Sequence, residues 1–262
     1  MTILALLIGL LIYHFTPSLS ALRRYRWLTL PAAVIADRSN AWPDWLPMML
    51  MLFGTVLIGL LATVLADNLA GDFGVLLLSL LVIIYTLGPR DLDDDIEHAV
   101  SSDDARDSLR LGVDANGVQA AATVLHAALA RWFGVMFWFV LLGVPGALLY
   151  RAARVAQRSR VGTGKQQAWF RHLLFILNWP VLLLMTLAVA LMTDLDRVRT
   201  SWSAQTRPWQ LNANWLDQLA VTLCTPDCDA QQGLNEGQAL AWRMLWIWLA
   251  VLSILLMAGW IA

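Results

Sequence analysis

Between residues 46 and 66 the chain carries no charged side chain, and after a short polar turn at 67–72 it is apolar again from 73 to 87. A helix rises about 1.5 Å per residue and the hydrocarbon core of a bilayer is about 30 Å thick, so roughly 20 apolar residues make one crossing. Two such runs joined by so short a connector predict an antiparallel helix hairpin. Gly88-Pro89 ends the second run, because proline lacks the amide N–H a helix needs. Further runs lie at 169–192 and 241–261, the latter with Trp242, Trp246, Trp248 and Trp260 placed for the aromatic belts of a membrane. Residues 1–15 are apolar but lack the basic start and small-residue cleavage site of a signal peptide; they are expected to be a retained first span or a membrane-lying helix.

Composition agrees. The 262 residues are 59% hydrophobic and 14% charged. A soluble domain has roughly 45–50% apolar and about 25% charged residues, so the excess belongs in lipid. Eighteen basic residues against nineteen acidic ones give a net charge of −1, which excludes a nucleic-acid partner held by bulk charge. Two cysteines cannot make a disulfide-dense scaffold.

Residues 132–150 are apolar yet interrupted by Gly143-Val144-Pro145-Gly146. The piece before the break spans only about 16 Å as a helix. The piece after it soon meets Arg151, Arg154, Arg158, Arg160, Lys165 and Arg171, with no acid between 151 and 171. That cluster is a strong cytoplasmic signal, and Arg23, Arg24, Arg26 and Arg38 mark 16–45 in the same way. A straight crossing by 132–150 would put the second cluster outside. The spacing therefore predicts a re-entrant helix pair that turns at Gly143, Pro145 and Gly146. Backbone at that depth must be packed on protein or line a wet cavity.

The expected architecture is an all-α, polytopic helical membrane protein with about five spanning segments plus this re-entrant pair. Its expected parts are N-terminal membrane spans (1–87), a cytoplasmic acidic helical segment (88–131), the re-entrant pair with a basic cytoplasmic loop (132–171), and C-terminal spans (172–262) with a periplasmic loop at 194–240. Segments 16–45, 88–131 and 151–168 are expected in the cytoplasm.

The acidic segment opens LGPRDLDDDIEHAV, where Asp93, Asp94, Asp95 and Glu97 complement the positive end of a helix. Carboxylates there also suit a Mg²⁺–nucleotide complex, although no spacing is diagnostic. Arg106, Asp107 and Arg110 accompany Leu109 and Leu111 on an amphipathic helix, either as a solvated face or as a phosphate clamp. The stretch Val161–Lys165 lacks the first glycine and the final hydroxyl residue of a phosphate loop and is expected to be a turn. His126 is expected to be a hydrogen-bonded helix residue. No zinc spacing and no nucleophile motif are present. Residues 213–223 suggest a short helix lying on the membrane or packed on the bundle. Cys224 and Cys228, in CTPDC, are disulfide candidates if their loop faces an oxidising compartment, with a thiol pair or a metal half-site as the alternatives.

At LGPRDL (87–92), followed by an acidic helix, the chain resembles the AmpE family, which belongs with the larger CobD/CbiB group of membrane proteins. Gly143–Arg151 (GVPGALLYR) is similar to a G-x-PGAL-x-YR stretch of that group, Leu177-Asn178-Trp179-Pro180 to its NWIPAR stretch, and Ala105-Arg106 with Leu109 to its AR-x-x-L helix. The resemblance covers roughly residues 85–190. It implies a multi-pass protein of the bacterial inner membrane tied to β-lactamase induction and cell-wall stress, with a functional link to a cytoplasmic anhydromuramyl-peptide amidase. The paired acids and asparagine of the synthase-type relatives are missing from 111–114 and 123–131. An ATP-dependent amide ligase needs such acids to hold Mg²⁺. The chain is therefore expected to be a non-catalytic regulator or sensor, with no cofactor of its own and a ligand pocket lined by Arg90, Asp91, Arg106, Arg110, Arg151 and Asn178. Two other readings stand beside it: an ATP/Mg-dependent amide ligase of the cobalamin type, and a structural or lipid-binding subunit. Expected partners are the lipid bilayer and a second copy of the chain.

Overall fold

The computed structural model describes residues 5–10, 43, 45–87, 92–99, 109, 111–112, 115–159, 164–192, 214–223 and 228–257. Apart from turns these residues are helical, and none of them forms a strand. In chain order the helices are α1 (Leu46–Thr86), α2 (Leu92–His98), α3 (Gly117–Leu142, with a π-helical turn at Leu129–Phe133), α4 (Val144–Ser159), α5 (Gly164–Met192), α6 (Asn214–Leu223) and α7 (Ala230–Met257). Four of them, α1, α3, α5 and α7, are long and apolar enough to cross a membrane. The fold is all-α and polytopic, as expected. Of the first expected span, 5–10 is helical and the rest lies outside the described residues.

Contacts divide the chain into two units. The first holds Met1–Pro89 and Gly134–Leu177, the second Arg90–Phe133 and Asn178–Ile261. In the first unit α1 has 41 residues, about 60 Å if straight and twice a hydrocarbon core. It is not straight. Gly71 has φ 58° and ψ −146°, backbone that only glycine adopts without strain. A Cβ at Gly74 would lie 2.3 Å from the carbonyl oxygen of Ala66. Those residues would be about 12 Å apart along one helix, so the chain folds back on itself. The hairpin expected from 46–66 and 73–87 is present, with its reversal concentrated at Gly71 and helix through most of 67–72. Only 22% of the apolar window of α1 is buried, which fits a lipid-facing element. Its hydroxyls bond inward: Thr55 donates to Met51 O at 2.9 Å, Thr63 to Gly59 O at 2.8 Å and Thr86 to Val82 O at 2.7 Å. In hydrocarbon no water could take these protons.

The GVPG break is a reversal. Gly143 has φ 68°, and one residue separates α3 from α4. Gly134 and Tyr150 would be about 24 Å apart along a straight helix. Yet a Cβ at Gly134 would lie 2.1 Å from Tyr150 Cζ, so α4 runs back along the end of α3. Pro145, in the first turn of α4, abuts Gly59 near the middle of the first arm of α1, where a Cβ would lie 2.8 Å from Pro145 Cα. The turn is thus packed on protein. Met48, Met51, Ala152, Ala156 and Phe170 form the core where α1, α4 and α5 meet. The Trp138 indole donates to Leu177 O at 3.1 Å, close to Pro180, which has no N–H to offer the helix it sits in.

Two expectations about this region need correction. The apolar helix before the break begins at Gly117 rather than at 132, because the alanine-rich run 120–130 continues it; at 26 residues it is long enough to cross. The basic stretch is also mostly not a loop, since α4 continues to Ser159 and α5 starts at Gly164.

In the second unit Asn116 caps α3 through a reciprocal pair with Gln119. The first part of α3 lies along α7. A Cβ at Gly233 would fall 1.9 Å from Gly117 O, and one at Gly237 would fall 3.0 Å from Ala121 O. Further on, Trp132 meets Trp242 at 5.3 Å and Phe133 meets Trp248 at 5.1 Å between ring centroids. Contacts advance together along both helices, so the two run parallel. The short α6, expected at 213–223, packs on α3 through Ala220 against Ala121 and Ala122. α7 begins well before the expected 241. Trp246 faces outward at 65% exposure, whereas Trp242 and Trp248 turn into the unit; Trp260 lies outside the described residues.

Parallel α3 and α7 overturn one assignment. Residues 88–131 and 194–240 were expected on opposite sides of the membrane, yet Gly117 N donates to Cys228 O at 3.0 Å and Gln238 bonds Asp93 at 2.6 Å. The chain before α3 and the chain before α7 reach the unit at one end. Counting crossings from charge clusters had assumed that each apolar run is a separate transit. Single cysteines at the exposed positions Glu97 and Gln232, in a chain whose native cysteines are replaced, are expected to react with an impermeant maleimide from the same side of the membrane. Labelling from opposite sides would refute the parallel arrangement.

Candidate functional site

The polar centre of the second unit grows from the face α2 buries. Leu92, Asp95, Ile96 and Ala99 are buried and share one helical face. Burying the three apolar members carries the Asp95 carboxylate inward with them. It meets Arg131, whose Nη1 donates to Asp95 Oδ2 at 2.7 Å; the two side chains are 2% and 1% exposed. Arg131 lies on the π-helical turn of α3, which also buries its neighbours Trp132 and Phe133. Widened turns of this kind occur often at functional sites. Asp93 bonds the other neighbour: Gln238 Nε2 and Trp242 Nε1, both on α7, donate to its Oδ1 at 2.6 and 3.0 Å. One turn of α2 therefore ties α3 to α7 through two carboxylates, and the T-shaped Trp132–Trp242 pair joins the same two helices.

A buried ion pair recovers little net energy, because both charges give up water. Its effect is on specificity, since neither charge can be left alone in so dry a place. The His126–Asp217 pair, at 2.8 Å between α3 and α6, is half exposed and contributes little. It does give His126 the hydrogen-bonded helical role expected for it. On the outer face of α2, Asp94, Glu97 and His98 place one ligand atom each within 4.8 Å of one another, all exposed. The His98 imidazole donates through Nδ1 to Asp94 O at 2.9 Å.

Of the six residues expected to line a pocket, Arg90, Asp91, Arg106 and Arg110 lie outside the described residues. Arg151 is 4% exposed in the first unit, and Asn178 is half-buried in the second. Beside Arg151, Arg154 donates through Nε and Nη2 to the Tyr150 hydroxyl at 3.1 and 3.0 Å. Cys228 is a buried free thiol, and its expected partner Cys224 lies outside the described residues. Sequence reasoning missed Arg131 and Asp95 as a pair. The available signal was that Arg131 is the one formal charge between residues 115 and 150. A lone ionisable side chain in an apolar run marks a partnered position.

The fold defines a multi-pass, all-α membrane protein. Comparison with protein-family models, curated proteins and solved structures finds no match.

Proposed function

We propose that this chain is an AmpE-like regulatory or sensor protein of the bacterial inner membrane, linked to β-lactamase induction and cell-wall stress, with no catalysis of its own. The observation that carries this reading is the use α2 makes of its acids. The helix follows the LGPRDL motif, and its acids are the carboxylates that could otherwise serve a Mg²⁺–nucleotide complex. Here Asp95 is sealed against Arg131, and Asp93 is bonded to Gln238 and Trp242. Carboxylates held this way support a scaffold rather than a metal–nucleotide site. The family link brings with it a functional connection to a cytoplasmic anhydromuramyl-peptide amidase.

The test is complementation. In a bacterium with an inducible chromosomal β-lactamase and its own AmpE-like gene deleted, the wild-type chain is expected to restore the normal induction response to a β-lactam. Unchanged enzyme levels with and without the chain would sink the proposal. A second reading, an ATP/Mg-dependent amide ligase, is favoured by the exposed Asp94–Glu97–His98 group. It requires purified protein to release ADP from ATP, with the release lost in Asp94→Asn and Glu97→Gln.

A further inference from the structure

Down one exposed stripe of α5 a cation, an indole and then an aliphatic side chain follow in order. Lys165, Trp169, His172 and Ile176 are spaced four, three and four residues apart, which is one face of a helix, and all are exposed. Trp169 is 45% and Ile176 64% exposed. From Lys165 to Ile176 the axis advances about 16 Å, enough to pass from lipid phosphate to hydrocarbon. Arg171, also exposed, lies about 100° around the helix from His172, off the stripe itself, and its long aliphatic stem can carry the charge toward the surface.

Helix α4 adds to this end of the first unit. Ala152, Ala156 and Val155 pack against Phe170 and Leu173 of α5, so the C-terminus of α4, with exposed Arg158, lies beside the N-terminus of α5. From residue 134 to 177 there is no aspartate or glutamate. Helix α7 provides the contrast. Arg243, Trp246 and Ile254 repeat the cation–indole–aliphatic order on one exposed face, but exposed Glu236, two turns earlier, shares that face. The α7 stripe can anchor a helix at a membrane surface without favouring either sign of lipid charge.

We propose that the α4–α5 end binds the headgroup of an anionic phospholipid. Lys165, Arg171 and Arg158 take the phosphate, Trp169 sits at ester level, and an acyl chain runs along Ile176. Clustered positive charge at a bilayer edge recruits acidic lipid, and an indole favours the interfacial zone.

The experiment uses the full chain in nanodiscs of phosphatidylcholine with and without phosphatidylglycerol, with retained lipids counted by native mass spectrometry. The wild type is expected to retain phosphatidylglycerol preferentially, and added salt to erode that preference. Each basic side chain at an acidic surface is worth about a factor of five, so Lys165→Gln/Arg171→Gln should lower the preference roughly 30-fold. Lys165→Arg and Arg243→Gln should leave it intact. An unchanged preference in the double variant overturns the proposal, as does an equal loss in Arg243→Gln. Circular dichroism in pure phosphatidylcholine checks the fold. If the double variant unfolds there, the salt series on the wild type decides, and a salt-insensitive preference overturns the proposal.

Discussion

Arg131→Met is expected to destabilise the protein by about 3–5 kcal/mol, because it strands the Asp95 carboxylate in a site that is 2% exposed. Asp95→Leu should cost a similar amount by stranding the guanidinium. The double variant, Asp95→Leu with Arg131→Met, should recover most of the loss, since two apolar side chains, together only modestly larger than the pair they replace, need no water and no partner. The contrast arises because the Coulomb attraction is nearly cancelled by desolvation while both charges are present, whereas a single charge keeps its whole penalty. Unfolding by increasing sodium dodecyl sulfate in mild micelles, followed by circular dichroism, measures all four corners of the cycle. Losses in the single variants that add in the double variant would show that Asp95 and Arg131 act independently. The double variant also bears on function. Under the proposed regulatory role, a stable double variant that complements as the wild type does would mean the pair serves only the fold, and a stable variant that fails where the wild type complements would place that role in the polar centre.

Much of the architecture was legible from apolar run length and glycine–proline punctuation, because hydrocarbon thickness and the missing proline N–H are properties of local sequence. The hairpin in α1, the reversal at Gly143 and the helix around Trp215 follow from such signals. The start of α3 was not legible. Residues 120–130 are mostly alanine, which adds little to apolar bulk while forming helix readily. The parallel course of α3 and α7 could not be read either, since it depends on where Gly117 and Gly233 let two backbones touch, and small residues advertise no partner. For the same reason Trp242 and Trp246 looked alike in sequence, although one bonds Asp93 and the other faces outward. The Asp95–Arg131 pair falls between these cases. Arg131 was visible as a lone charge in an apolar run, but Asp95 is one of several acids on its helix, and the pairing spans 36 residues and belongs to the tertiary fold.

Gly233→Leu is expected to cost about 3 kcal/mol or more, the upper range for overpacking a tight contact. A Cβ at Gly233 would sit 1.9 Å from the Gly117 carbonyl oxygen. That atom is backbone within a helix and cannot rotate aside, and small residues are what let two helices approach so closely. Gly117 offers no relief by moving, because its own Cβ position is 2.6 Å from Cys228 O, Cys228 Sγ and Asp229 O. Helix α7 must therefore shift away from α3. The shift is carried downstream to Gln238 and Trp242, whose bonds to Asp93, at 2.6 and 3.0 Å, tolerate little displacement. Asp93→Asn should accordingly weaken the wild type but add almost nothing to Gly233→Leu, a coupling that unfolding titrations can read. Gly54→Ala is the control: no atom lies within 4 Å of its Cβ position, and no loss is expected. Full additivity between Gly233→Leu and Asp93→Asn would mean that the glycine contact and the α2 clamp are independent, and that α7 does not hold the polar centre in register.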